Sequence, residues 1–306
     1  MDDISLLISQ LQQGDAKSLA RAITIVENDL KQSRQLLERL IPDNNIPLIG
    51  ITGPPGAGKS SLVNALITDL LKKNVRIGIV AVDPSSPFNF GSLLGDRIRF
   101  TAHFNHPNLF IRSLAARGSV GGLSDKILEV TDVMKSAAFD YIFIETVGVG
   151  QSEVEIAALA DTTVVVLNPE SGDEVQTMKA GLLEIADIFV VNKSDQPGAD
   201  RLVKNLTLLT SSKKEMDRQV PVTKTCATAH EGINELQHEI DSHSDKALSN
   251  KRRPYLMAEK IWRIIQKEKM KGINKEELIK DLIKALNDKN FNLYQYAKKY
   301  YEGLNK

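Results

Sequence analysis

The chain has a single cysteine, Cys226, among its 306 residues. No intrachain disulfide can form, so buried surface rather than covalent staples must hold the fold, and a reducing compartment fits. No apolar run approaches the roughly 20 residues that a membrane-crossing helix needs. Charge of neither sign is in excess, because Lys+Arg and Asp+Glu both number 39. Nucleic acid or an anionic membrane as a broad electrostatic partner therefore has no footprint in the composition. The histidines, His103, His106, His230, His238 and His243, follow no ligand spacing, and there is no Cys-x-x-Cys pair. Repeats and low-complexity segments are absent. The acidic start, Met1 to Ser5, lacks a signal or transit pattern, and a cytoplasmic protein is expected. What is present is 42% hydrophobic and 25% charged, the make-up of a globular chain with one large domain and appendages or two small ones.

Punctuation divides the chain into three parts. Residues 1–45 read as an N-terminal helical extension, with Ile4, Leu7, Ile8 and Leu11 on one face and Asp15 as the cap of a second helix. Pro42 to Pro47 is a turn. Residues 46–245 then alternate apolar runs with helical stretches. The runs are Leu48–Thr52, Arg76–Val82, Leu109–Arg112, Tyr141–Ile144, Thr163–Leu167, Ile188–Val191 and Val220–Thr223. Continuous apolar runs are what parallel strands covered on both faces require. Helices are expected at 122–137, 174–184 and 201–211. The fold class is α/β, a doubly wound, mainly parallel sheet flanked by N- and C-terminal helical segments. Residues 250–306 read as three helices, at 255–269, 275–286 and 291–301. Such a segment makes a poor core by itself and is expected to pack on the sheet domain or on a second subunit.

The strongest motif is Gly53-Pro54-Pro55-Gly56-Ala57-Gly58-Lys59-Ser60-Ser61, set between a strand and a helical pattern. Strand, glycine loop, helix is the context of a phosphate-binding loop. Glycines let backbone N–H groups converge on phosphate oxygens, and the helix adds its positive end. Lys59 can reach the β- and γ-phosphates, and Ser60 can offer its hydroxyl to Mg²⁺. A chance glycine turn is the plainer alternative, and the flanking elements disfavour it.

A second motif, Asn192-Lys193-Ser194-Asp195, follows a strand. A carboxylate at Asp195 can accept from guanine N1–H and the exocyclic amine, which adenine cannot match. Asn192 can meet the purine N7 edge, and Lys193 can lie under the ring. Cys226-Ala227-Thr228, after the next strand, can place a backbone N–H on the guanine oxygen. A capping Asp in a strand-to-helix loop is the alternative for Asp195. Asp83 and Glu145 end two central strands, and with Ser60 they are the candidate Mg²⁺ ligands. Asp83 could instead cap a helix. Glu145-Thr146-Val147-Gly148 resembles the D-x-x-G switch of GTPases, with Gly148 placed to offer its N–H to a γ-phosphate. Many GTPases carry a water-orienting Gln directly after that glycine. Here the position is Val149, with Gln151 two residues on, so slow intrinsic hydrolysis is expected. Arg97, Arg99, Arg112 and Arg117 are candidates for stabilising charge in cis.

With these motifs stand longer blocks: Ala81–Phe88, Gly95–Arg99, Ile111–Gly118, Gly121–Leu123, Glu145–Glu153 and Ser171–Asp173. Together they resemble the MeaB/ArgK family of P-loop GTPases over nearly the whole chain. The resemblance implies GTP hydrolysis with Mg²⁺. It also implies a homodimer joined through the C-terminal helices, and a loop at 171–180 that signals nucleotide state. It further implies a G-protein chaperone that gates adenosylcobalamin delivery to methylmalonyl-CoA mutase and protects or reactivates that enzyme. The cobalamin would be met only through the partner. Two departures stand out: Phe90 where the family has glycine, and Cys226 where it has serine at the guanine site. The alternatives carried with the resemblance are a GTPase or kinase linked to arginine and ornithine transport, and a chaperone for another metallo- or B12 enzyme. The absence of His and Cys ligand spacing argues against nickel or zinc handling.

Overall fold

In a computed structural model of the chain, each apolar run of the central region becomes a strand. They are β1 (Leu48–Thr52), β2 (Ile77–Asp83), β3 (Leu109–Ala115), β4 (Tyr141–Glu145), β5 (Thr162–Leu167), β6 (Ile188–Val191) and β7 (Val222–Lys224). All pair in parallel, in one sheet of order β3-β2-β4-β1-β5-β6-β7. The residues described are 2–83, 100, 102–115, 126–146, 152–171, 184–211, 220–248, 253–270, 272–287 and 291–301. They form two compact units, Met1–Arg253 and Pro254–Lys306.

In the first unit, helices cover both faces of the sheet. One face carries α1 (Asp3–Gln12), α2 (Ala16–Glu27), α3 (Ser33–Arg39), α5 (Ile127–Lys135) and α6 (Ser152–Leu159). Their apolar stripes meet Leu48, Val80, Ile142 and Ile144 in one core. The other face carries α4 (Lys59–Lys72) and α8 (Ile233–Leu248), which pack on Ile49, Ile51, Ile79, Phe143 and Val164. Helix α7 (Ala199–Ser211) closes the β6 end through Leu202 and Leu206. This two-sided burial is why the strands read as unbroken apolar runs.

Local signals set the N-terminal helices. Asp2 caps α1 through Ser5 N–H at 2.8 Å, and Asp15 caps α2 through Ser18 N–H at 2.7 Å. The Arg39 guanidinium and Ser5 hold the Asp2 carboxyl well below the usual carboxylate range. Ile4, Leu7 and Leu11 are buried, as their spacing requires.

The second unit consists of α9 (Arg253–Met270), α10 (Lys275–Ala285) and α11 (Leu293–Tyr301). Asn274 caps α10 by accepting from the N–H groups of Glu276 and Glu277. Among the described residues no helix is long and apolar enough to cross a membrane.

Two strands differ from the apolar pattern by more than one residue at an end. β3 extends through Ser113, Leu114 and Ala115 because those residues pair with Ala81, Val82 and Asp83 of β2. β7 starts at Val222 rather than Val220: Pro221 has no N–H to give to a ladder, although its carbonyl accepts from Phe189 at 2.9 Å. The helix expected at 174–184 lies almost entirely outside the described residues.

Candidate nucleotide-binding site

Because every strand runs the same way, the ends of β1, β4, β6 and β7 fall on one edge of the sheet. Ligands bind at that edge in such folds, beside the strand where the order reverses. Here that strand is β1, with β4 on one side and β5 on the other.

The phosphate loop leaves β1 at Thr52 and enters α4 at Lys59. Gly53 has φ +136°, and a Cβ there would lie 2.0 Å from the Val166 carbonyl oxygen. Only glycine fits that position. Lys59 is buried, and its Nζ donates to the carbonyls of Gly53 (2.8 Å) and Pro54 (3.0 Å). Its ammonium therefore sits under the mouth of the loop, while Pro55, Gly56 and Ser61 face outward. The first N–H groups of the 14-residue helix α4 open at the same place.

One residue further, the Ser60 hydroxyl donates to Glu145 Oε1. Glu145 ends β4 and is buried. The register of β1 with β4 sets Ile51 beside Glu145, so the carboxylate rises next to the root of the phosphate loop. A hydroxyl and a carboxylate thus meet at one point, both hard oxygen donors of the kind Mg²⁺ takes. Asp83 closes β2, and its side chain lies outside the described part of the structure. Gly148, Val149 and Gln151 lie outside it as well, as do residues 84–99, with Phe90, and 172–183.

On the base side, Asn192 follows β6 and is buried. Its Nδ2 donates to the Ala57 carbonyl at 3.0 Å. Its Oδ1 accepts from Thr225 Oγ1 at 3.1 Å and from Ala227 N–H at 3.2 Å. Gly58, at φ +89°, has Asn192 in the space a Cβ would need, 2.3 Å from its Nδ2. The residue expected at the purine edge is thus also a bracket between the phosphate loop and the Cys226 loop.

Lys193 takes left-handed backbone, φ +56°, which turns the chain so that Asp195 stands exposed. The Ser194 N–H donates to the Thr225 carbonyl at 3.0 Å, and the Cys226 thiol donates to Asp195 Oδ1 at 3.2 Å. Of the N–H groups expected for the guanine oxygen, that of Cys226 donates to the Glu231 carbonyl at 3.0 Å and that of Ala227 to Asn192. Thr228 lies beside the thiol, its Oγ1 3.5 Å from Sγ.

Arg112 is placed elsewhere. It pairs with Glu27 of α2 and contacts Thr24 Oγ1 at 3.4 Å. It ties the N-terminal helices to β3, so its pairing is structural. Arg97, Arg99 and Arg117 lie outside the described residues. Sequence reasoning missed Thr52, Thr146 and Thr225, buried hydroxyls that bond within the site. Their only sequence signal is a hydroxyl at the end of an apolar run.

Comparison with known proteins follows the same residues. Residues 19–285 match the family described as methylmalonyl-CoA mutase-associated GTPase MeaB. The GTPase ArgK of Escherichia coli is 35% identical over 76% of this chain and 73% of its own. The mouse methylmalonic aciduria type A homolog, a mitochondrial protein, is 30% identical over 94% of this chain and 75% of its own. A protein of Pyrococcus abyssi that carries a GTPase name is 48% identical over 79% of this chain and 76% of its own. Among solved structures, that of a LAO/AO transport system kinase shares the fold. It has a TM-score of 0.68 at 24% identity, covering 100% of this chain and 99% of that one. The matched span takes in the phosphate loop, the Glu145 strand end and the Asn192 loop together, and so the chain belongs to the MeaB family and is a GTPase.

Proposed function

We propose that this GTPase is a G-protein chaperone for an adenosylcobalamin-dependent methylmalonyl-CoA mutase. It gates cofactor delivery and protects or reactivates the mutase, and cobalamin belongs to the partner. One observation carries this reading: the mutase-associated family matches residues 19–285, a span that includes every loop of the site.

In this reading Lys59 neutralises charge that grows on the bridge between β- and γ-phosphates. Ser60 and Glu145, with Asp83, hold Mg²⁺, which supplies charge neutralisation on the phosphate oxygens. The Gly148 N–H meets the γ-phosphate. Asp195 reads the guanine edge, with Lys193 under the ring and the Cys226–Thr228 backbone near the guanine oxygen. Val149 cannot hold a water by hydrogen bonding, so the isolated site turns over slowly. A partner that prefers one arrangement of the loops shifts their population and can complete the site. Purified apo-mutase from the same source is expected to accelerate phosphate release from GTP by about tenfold or more. Equal rates with and without it would contradict the reading.

The second unit is proposed as a dimerisation arm. Ile261, Trp262, Ile264 and Ile265 of α9 are about half exposed, and Ile279, Ile283 and Leu286 in or beside α10 are exposed as well. So much exposed apolar surface on three helices marks an interaction face. The full chain is expected to sediment as a dimer at micromolar concentration. Trp262→Asp with Ile265→Asp should move it to monomer, since each buried apolar side chain contributes about 1.5–3 kcal/mol. A wild-type monomer would contradict the assignment.

A further inference from the structure

We infer that Thr52 and Thr146 form a fixed joint beneath the site, with Thr146 a positioning residue for GTP hydrolysis. The inference rests on the phosphate-loop reading above. Thr52 is the last residue of β1 and directly precedes Gly53. Thr146 directly follows Glu145, the last residue of β4. The Thr146 hydroxyl donates to Thr52 Oγ1 at 3.0 Å, and its N–H donates to the Ile51 carbonyl at 3.1 Å. Both side chains are buried, at 0% and 2% exposed.

The backbone bond belongs to the last ladder pair, Ile51 with Glu145, and the hydroxyl bond carries the β1–β4 contact one residue further. They also close a ring of contacts. From Thr52 the chain runs to Gly53 and Pro54, whose carbonyls hold Lys59 Nζ. The next residue, Ser60, bonds Glu145, which is covalently followed by Thr146. The ring therefore ties the lysine and serine of the phosphate loop to the end of β4 at Glu145 and Thr146. Valine would fill the same volume in either position, and packing alone needs no hydroxyl there. A buried hydroxyl is costly unless it is bonded. The paired hydroxyls fix the height of Glu145 and Thr146 against the phosphate loop, where small displacements count most for reaction rate.

A merely stabilising pair and a positioning pair differ in what they move. GDP is held by the phosphate loop and the base loop, whereas the Glu145–Gly148 segment serves the γ-phosphate. A positioning role therefore lowers kcat and leaves GDP affinity alone. The test is single-turnover and steady-state GTP hydrolysis by the full chain, with GDP titration and thermal melting in parallel. Thr146→Val is expected to lower kcat by roughly fivefold to tenfold, the worth of one buried hydrogen bond. KM and GDP affinity should stay within about twofold of wild type, less than that bond would shift them. Thr146→Ser, which keeps the hydroxyl, should restore kcat, and Thr52→Val should reproduce the loss. Unchanged turnover in Thr146→Val would overturn the inference. So would a Thr146→Ser variant as slow as Thr146→Val, or GDP affinity falling in step with kcat and melting temperature. Lys59→Ala in the same assay separates the two levels. If it retains turnover, the site assignment has failed. If it loses turnover while Thr146→Val does not, only the joint has failed.

Discussion

Lys59→Ala is expected to lower GTP turnover by at least about a hundredfold, the scale on which one aimed charge or donor stabilises a transition state. The lysine ammonium is held by Gly53 and Pro54 at the mouth of the loop, so alanine removes both the charge and the clasp on those carbonyls. Two effects should separate in the measurement. Loss of charge lowers kcat, because negative charge on the β–γ bridge grows only as the bond breaks. Loss of the clasp loosens the loop and weakens GDP and GTP alike. Phosphate release with saturating nucleotide, beside nucleotide titration, reads the two apart. Near-wild-type kcat in Lys59→Ala would remove the phosphate loop from the chemistry.

Asp195→Asn is expected to weaken GTP binding by roughly ten- to a hundredfold, since hydrogen bonds to a charged group are worth about 1.5–3 kcal/mol. Xanthine nucleotides should gain in the same variant, because the amide offers a donor where the carboxylate offered only acceptors. The carboxylate is exposed at the sheet edge, and the Cys226 thiol occupies Oδ1 at 3.2 Å. That contact orients the group without neutralising it. In the wild type, ATP should bind far more weakly than GTP, since adenine leaves the acceptors unmatched. Competition titrations with GTP, ATP and XTP decide the matter. A wild type that binds ATP and GTP equally would contradict the role given to Asp195.

Much of this architecture was legible along the chain for a simple reason. Residues such as Ile188–Val191 are covered on both faces, so their apolar character is continuous and their period cannot mislead. The phosphate loop was legible because its glycines answer to backbone geometry, as at Gly53 against Val166. What escaped depends on partners far away in sequence. Arg112 had the right charge to serve the site, but β3 is an edge strand whose outer partner is Glu27 on α2. Asn192 reads along the sequence as a purine contact, whereas in the fold its amide braces Ala57 and Thr225, contacts that arise only when the strand ends align. Thr52 and Thr146 look like ordinary strand-end threonines until the β1–β4 register sets them face to face.

Binding of the proposed mutase client in the two nucleotide states is the most direct test of the chaperone role. Coupling is reciprocal for binding: where one nucleotide state favours the loop arrangement that the mutase prefers, the mutase is bound more tightly in that state. The measurement is the affinity of the full chain for purified methylmalonyl-CoA mutase from the same source, with Mg²⁺ and either a non-hydrolysable GTP analogue or GDP. The expected result is a difference of about tenfold or more between the two states, lost in Asp195→Asn at GTP-analogue concentrations that saturate only the wild type. Equal affinity in both states, or no binding in either, would contradict the central claim.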